Sequence, residues 1–461
     1  MTPPQLYGQL VELLDDRKVS VDSSVLEEHS TDRWHASASP DVVVFAESTQ
    51  DVSRVLRFAN EHRIPVTPRG AGVGYVGGCV PLNAGIALSV ARMNRILEIS
   101  PQDGVAVVEP GVITGHLQRQ VREMGWYYPP DPASLNECSL GGNIATNAGG
   151  PKCLKYGVTR NYVLGLEVVL ASGEILNAGG RVHKNKTGFD LVGLFVGSEG
   201  LLGVVTKATL RIIPHPPARA TFSVGFDRFD QAAQAVQAVL DAGFLPCTLE
   251  ITDAFTLQAA RDNPDVTADV PNGDAHLLLE IDGQPGAVEA DKAVLTKLLQ
   301  ALGPTSIDVA VREEDCEQLW EIRRAFSYSL RATGLTKMNQ DIVVPRGRIV
   351  ELAQFSRQLQ EETGYQVASF GHAGDGNIHV NLMVDPDEVK RHPDRVNAAL
   401  NRLFGQVLAW NGAITGEHGL GIARKPWVAD ALGPVSRQVH ADLKRALDPN
   451  GILNPGKFVE I

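Results

Sequence analysis

With 461 residues, 43% of them apolar and 21% charged, the chain is too long for one compact core and too ordinary in composition for wholesale disorder. Its 42 basic residues against 54 acidic ones give a formal charge of −12, which excludes the electrostatic footprint of a general nucleic-acid binder. No apolar run approaches the roughly 18 residues of a membrane span, and the opening MTPPQLYGQLVELLDDRK has neither a signal core nor an Arg-rich transit pattern, so a soluble, cytoplasmic protein is expected.

In chain order, residues 1–37 form an N-terminal helical segment. Residues 38–217 then alternate short β-rich runs with dense glycine loops. DVVVFAESTQDVSRVLRFANEHRIPVTPRG reads as strand, helix, strand, the helix opening near Ser48, Thr49 and Asp51 and carrying Val52, Val55, Leu56 and Ala59 on one face. IALSVA, ILEIS and VAVVEPG are strand-like, a helix follows over about Thr114 to Met124, and LGLEVVLASG and GVVTKATLRIIP are later strands. His215-Pro216-Pro217 marks a domain edge. Residues 218–411 change texture to strands alternating with long amphipathic helices near 229–242, 286–302, 315–331 and up to Thr363. Two successive strand–helix–strand units predict an open sheet with helices on one face. Residues 412–461 return as a largely helical C-terminal segment. The five cysteines, Cys79, Cys138, Cys153, Cys247 and Cys316, are widely spaced and contain no CxxC pair, so reduced packing thiols are expected, without a disulfide framework or an iron–sulfur cluster of this chain's own.

Gly72-Val73-Gly74-Tyr75-Val76-Gly77 matches the GxGxxG dinucleotide fingerprint and follows a strand. The fingerprint needs a helix to begin within the glycines, and the following GCVPLNAG forbids one. What remains is a long loop, Pro68 to Gly78, that permits positive φ and close backbone approach. Two further small-residue tracts, SLGGNIATNAGG over 139–150 and GSEGLLGVV over 197–205, suggest an extended cofactor rather than a single phosphate.

Together PRGAGVGYVGG, PPDPASLNECSLGGNIATNAGG and GSEGLLGVVT resemble the FAD domain of the vanillyl-alcohol-oxidase (PCMH) type of flavoproteins, and the carboxyl half resembles that family's C-terminal domain. The resemblance implies an α+β fold: an FAD domain of two α+β subdomains, an α+β cap domain with an open antiparallel sheet that holds substrate over the isoalloxazine, and a helical C-terminal segment. It places FAD on Pro68, Arg69, Gly70, Ala71, Gly72, Val73 and Gly74, on Pro130, Asp131, Ser134, Ser139, Gly141, Gly142, Asn143, Ala145, Gly149 and Gly157, and on Glu199, Gly203, Val204 and Asn454. The first loop has no histidine, so the expected FAD is non-covalent.

HAGDGNIH, from His372 to His379, is the sharpest chemical signal. On one straight strand the two imidazoles would point to opposite faces. Gly374-Asp375-Gly376-Asn377 is turn chemistry, and a hairpin there makes His372 and His379 a cross-strand pair able to share a cation, with Asn381 facing the same way. Gly416-Glu417-His418-Gly419 supplies a carboxylate and a third imidazole at one bend. Glu417 serves as the third metal ligand and His418 as a base, leaving open positions for substrate. A metal-dependent hydrolase would use the same trio, and a catalytically silent flavin electron-transfer subunit is a further alternative.

HAGDGNIH and GEHGLG resemble motifs of the D-2-hydroxyacid dehydrogenases, the group containing D-lactate dehydrogenase, D-2-hydroxyglutarate dehydrogenase and the flavin subunit of bacterial glycolate oxidase. That resemblance extends to LWEIR and implies that Arg323 holds the substrate carboxylate, with Lys337 adding charge. Ser327, one turn after Arg323, and Asn381 complete the expected substrate contacts. The expected reaction is oxidation of a D-2-hydroxy acid, D-lactate before glycolate or D-2-hydroxyglutarate, with FAD as hydride acceptor and zinc or manganese as Lewis acid. Electrons then leave to a quinone, a cytochrome, an electron-transfer flavoprotein or an iron–sulfur partner subunit, any of which can hold the chain at the membrane periphery. An exposed helix of the second half fits a homodimer interface as well as a solvated face.

Overall fold

A computed structural model describes residues 1–459, which divide into two compact units. The first comprises Met1–Gly149, Val158–His215 and the chain from Glu417 onward, and the second comprises Gly150–Gly157 and Pro216–Gly416.

The first unit holds two larger sheets and a two-stranded pair, Trp126–Tyr127 with Ile213–Pro214. Val42–Phe45, Ile86–Ser89 and Val66–Arg69 run parallel, with Val19–Ser20 antiparallel on the outer edge. The helix Thr49–His62 packs on them because its expected face is apolar: Val52, Val55, Leu56 and Ala59 are fully buried with Val42, Val44 and Val66. Ser48 caps its start by accepting the Asp51 N–H at 3.2 Å. Burying a Val or Leu side chain contributes about 1.5–3 kcal/mol, so this seam anchors the subdomain. The other sheet is antiparallel throughout, in the order Ile96–Ser100, Val105–Val108, Val204–Arg211, Val163–Val169, Ile175–Gly179. The small-residue tract 139–150 contains a short helix, Leu140–Thr146, capped by Ser139 and ended by Asn147 at φ +52°. Gly and Thr lower helix propensity, which hid it, while the cap residues at both ends make it possible.

The second unit is built on one seven-stranded sheet in the order Ser306–Ala310, Ala218–Phe226, Ala275–Gly283, Thr248–Thr252, Gln366–His372, Asn377–Val384, Thr336–Val343. Every neighbouring pair is antiparallel. The two strand–helix–strand units interleave, so the two strands within each unit are not adjacent. Helices lie on both faces, not on one. The helix Ile349–Thr363 meets Ser369 through Ser356, whereas Glu313–Ala332 and Ala254–Arg261 pack on the other face around Phe370, Ala368 and Met383. Alternation explains this. One face presents Ile251, Leu277 and Val380, and the other presents the buried polar row Glu280, Glu250, His372, His379 and Asn381, interrupted by enough apolar side chains to seat a helix.

Candidate active site

The polar face of the second unit's sheet carries two of the three predicted metal ligands, His372 and His379. His372 and His379 are not directly opposite. The turn occupies residues 373–376, so the ladder pairs His372 with Asn377 and His379 with Phe370. The histidines are therefore diagonal neighbours on one face, with ring centroids 5.8 Å apart and planes at 78°. Gly376 makes the turn possible: its φ is +90°, and a Cβ there would lie 2.1 Å from the Val344 carbonyl oxygen.

Glu417 joins them because of how its predecessor is held. Asp341, fully buried and opposite His379 in the ladder, accepts the Gly416 N–H and the Thr415 hydroxyl on Oδ2, both at 2.9 Å. Its Oδ1 accepts the Asn377 amide at 2.7 Å. One carboxylate thus pins both the hairpin and the bend that delivers Glu417. Candidate ligand atoms of His372, His379 and Glu417 all lie within 4.8 Å of one another.

Glu250, across the ladder from His372, takes that ring's Nδ1 at 2.5 Å, which makes Nε2 the candidate ligand atom. Its other oxygen accepts Arg323 Nε at 2.6 Å. Burial alone would raise the Glu250 carboxyl, but hydrogen bonds from His372 and Arg323 and the Arg323 charge outweigh it and hold the pKa low. Arg323 stacks over the Phe370 ring at 5.0 Å, and Nη1 and Nη2 have no hydrogen-bond partner among the described residues. Lys337 donates to Ser327 Oγ at 2.9 Å and lies 5.4 Å from the same ring. Burial, followed by the nearby Arg331 and Arg323 charges, pushes its pKa down to about 7. Asn381 donates to the Ala368 and His379 carbonyls, which fixes its amide orientation and leaves Oδ1 buried without a partner. Sequence reasoning missed Glu250, Asp341 and Phe370. Only TLEIT, with polar residues at every second position of a strand, carried a signal for one of them.

In the first unit the three small-residue tracts are laced together. A Cβ on Gly70 would lie 2.5 Å from Ser139 Oγ, so the first loop rests on the second tract. Gly197 and Glu199 donate their N–H groups to the Ile144 and Ala145 carbonyls at 2.8 Å. Asn454 donates to Gly78 and Glu199 carbonyls at 3.0 and 2.8 Å, clasping the first loop to the third tract. The Glu199 carboxylate accepts the Leu420 and Gly421 N–H groups, both at 2.8 Å, fixing the loop that carries His418, and burial raises its pKa. The His418 ring lies 5.3 Å from that of Tyr75 in the first loop.

A family profile for the C-terminal domain of FAD linked oxidases matches residues 215–458, and one for an FAD binding domain matches residues 40–179. The chain belongs to the FAD-linked oxidases. It is 39% identical to the glycolate oxidase subunit GlcD of Bacillus subtilis, over 91% of this chain and 89% of that protein. It is 32% identical to a D-lactate dehydrogenase of Anaerostipes hadrus over 99% and 97% of the two chains. It is also 32% identical to a D-2-hydroxyglutarate dehydrogenase of Stutzerimonas stutzeri over 99% of each. Among solved structures, 4-ethylphenol oxidase from Gulosibacter chungangensis superposes with a TM-score of 0.81 at 20% identity, covering 99% of this chain and 97% of that one. The p-cresol methylhydroxylase structure gives a TM-score of 0.78 at 21% identity with the same coverage. These structures show the shared PCMH-type α+β fold.

The residues of this FAD-linked oxidase fit its cofactor. The buried Asn454 Oδ1, in the clasp between the first loop and the third tract, has no protein partner. Several of the residues expected to contact FAD also make contacts within the protein. The Arg69 guanidinium is spent on the Thr31 and Glu28 carbonyls at 2.7 and 3.0 Å and on Cys79 Sγ, bracing the loop from inside. Gly203 packs against Val168 and Phe195, Val204 is core, and the Asn143 amide bonds Thr114. Ser134 caps a turn with its carbonyl, Pro130 accepts from Gln118, Gly141 abuts Pro110, and Gly157 falls in the second unit.

Proposed function

We propose that this flavoprotein oxidises D-2-hydroxy acids to 2-oxo acids, with D-lactate first among candidate substrates. The carrying observation is the gathering of two imidazoles and a carboxylate on the sheet face that also presents the Arg323 fork. Supporting it, the three relatives are named for glycolate, D-lactate and D-2-hydroxyglutarate, all 2-hydroxy acids. The donor set, two neutral imidazoles and a carboxylate with an aligned carboxylate behind His372, suits zinc or manganese. His372 Nε2, His379 and Glu417 would hold that ion, which supplies a Lewis acid for the substrate hydroxyl and one carboxylate oxygen. FAD, when bound in the first unit, supplies the hydride acceptor.

The chain's own residues do the rest. Arg323 offers two parallel N–H donors to the carboxylate and Lys337 adds a cation beside them. Asn381, its amide tied to the Ala368 and His379 carbonyls, steadies the strand that carries His379. A ring nitrogen of His418 takes the hydroxyl proton, with Glu199 holding the loop that presents it. Electrons pass to an external acceptor, a quinone, a cytochrome, an electron-transfer flavoprotein or an iron–sulfur subunit. The name of the Bacillus subtilis relative, a subunit, favours a partner protein. Among the described residues no helix is long and apolar enough to cross a membrane, so association with one would run through that partner.

Membership of the FAD-linked oxidases removes the hydrolase alternative. Anaerobic mixing with D-lactate, L-lactate, glycolate and D-2-hydroxyglutarate tests the proposal: bleaching of the flavin absorbance by a D-2-hydroxy acid is expected. A flavin left oxidised by all four would leave the silent-subunit reading standing instead.

A further inference from the structure

One buried side chain is asked to serve two partners. Glu250 sits mid-strand, across the ladder from His372, and is 1% exposed. Its two oxygens are divided: Oε1 meets His372 Nδ1 at 2.5 Å and Oε2 meets Arg323 Nε at 2.6 Å. Arg323 reaches it from the helix Glu313–Ala332, lying across Phe370, while His372 comes from the adjacent strand. Groups from two different elements are therefore oriented by one carboxylate.

From this geometry we infer that Glu250 is a positioning residue that joins the metal ligand His372 to the carboxylate-binding Arg323. The inference rests on the metal and substrate roles assigned above. As acceptor from Nδ1–H, Glu250 sets the ring's rotation and tautomer and directs Nε2 to the ion. As acceptor from Nε–H, it fixes the guanidinium plane so that Nη1 and Nη2 present their outer edge. Two acceptor atoms are required, and a carboxylate alone among side chains of this length has two.

Glu250→Gln isolates that requirement. A glutamine keeps the shape but carries one acceptor oxygen, which the Arg323 cation takes because charge-assisted bonds are the stronger. His372 then loses its orienting partner. The affinity for Mn²⁺, measured by EPR titration of the FAD-loaded protein without substrate, should fall about 10- to 100-fold, the usual effect of removing such a partner. The double variant Glu250→Gln/Arg323→Met removes the competing donor and the unpaired buried charge together. Its glutamine oxygen is then available to His372, so Mn²⁺ affinity should recover to within a few-fold of the parent. A residue acting only through general packing would show no such recovery.

Unchanged affinity in the single variant, or a double variant binding Mn²⁺ no better than the single, would overturn the inference. If the single variant does not fold, the double decides alone: near-parent Mn²⁺ affinity supports it and lost affinity ends it. Because the titration contains no hydroxy acid, it is independent of whether D-lactate reduces the flavin.

Discussion

Glu199→Gln tests whether the loop carrying His418 is held by one buried carboxylate. In the parent, Oε1 accepts Leu420 N–H and Oε2 accepts Gly421 N–H, each at 2.8 Å, and Gly419 packs so close that a Cβ would lie 2.8 Å from Oε1. Glutamine keeps the volume but turns one acceptor into an NH₂ group facing an N–H. One charge-assisted bond is lost and one buried backbone donor is left unsatisfied, a cost of about 1–3 kcal/mol after relief of the carboxylate's burial. Local opening of residues 418–421 should therefore become about 5- to 150-fold more frequent. Hydrogen exchange of the Leu420 and Gly421 amides reads this directly. Stopped-flow flavin reduction at saturating D-lactate should slow in the same variant, because His418 lies two residues before Leu420. Amide protection and reduction rate both equal to the parent's would refute the reasoning.

Lys337 has its pKa pushed down to about 7, so it is charged below that pH and neutral above it. Binding of an anionic acid should weaken as pH rises through 7, giving kcat/KM a descending limb that Lys337→Met abolishes; a limb retained by the variant would assign it elsewhere. Asp341→Asn leaves one acceptor oxygen for donors from Asn377, Thr415 and Gly416, so about 1–3 kcal/mol of stability and much of the Mn²⁺ affinity should go, seen by thermal melting and EPR titration. Dialysis against a chelator should abolish reduction by D-lactate while the 450 nm flavin absorbance persists, and Zn²⁺ or Mn²⁺ should restore it. Reduction that survives complete metal removal would eliminate the Lewis acid.

The candidate ligands stood out because their chemistry is local: HAGDGNIH announces a turn between two imidazoles, and GEHG announces a bend. The helix Thr49–His62 was legible for the same kind of reason, its Ser48 cap and apolar face lying within one window. The hairpin register was not, because it depends on the turn closing at 372 and 377, a choice that Gly376 at φ +90° makes and that His372 and His379 do not. Helices on both faces of the sheet were missed because the polar row of one face hid Phe370 and Met383, which seat a helix there. Glu250 and Asp341 were out of reach for a different reason. Each acts on residues 36 or more positions away, and a lone acidic residue in a strand has no signature of its own.

Strand alternation turns that long-range arrangement into a constraint on chemistry. Glu250, His372, His379, Asn381 and Asp341 occupy four neighbouring strands, and the ladders place all five on one side. A one-residue slip in any of these strands would send its polar side chain into the apolar face occupied by Ile251, Ile378 and Val380. Burial of those apolar residues therefore selects the register that assembles the site, so stabilising the fold and aligning the ligands are the same event. Buried carboxylates are costly, and an apolar face on both sides would be the more stable sheet. Their presence in a sheet otherwise free to be apolar is accounted for by what they hold: a ring nitrogen, a guanidinium and the bend before Glu417.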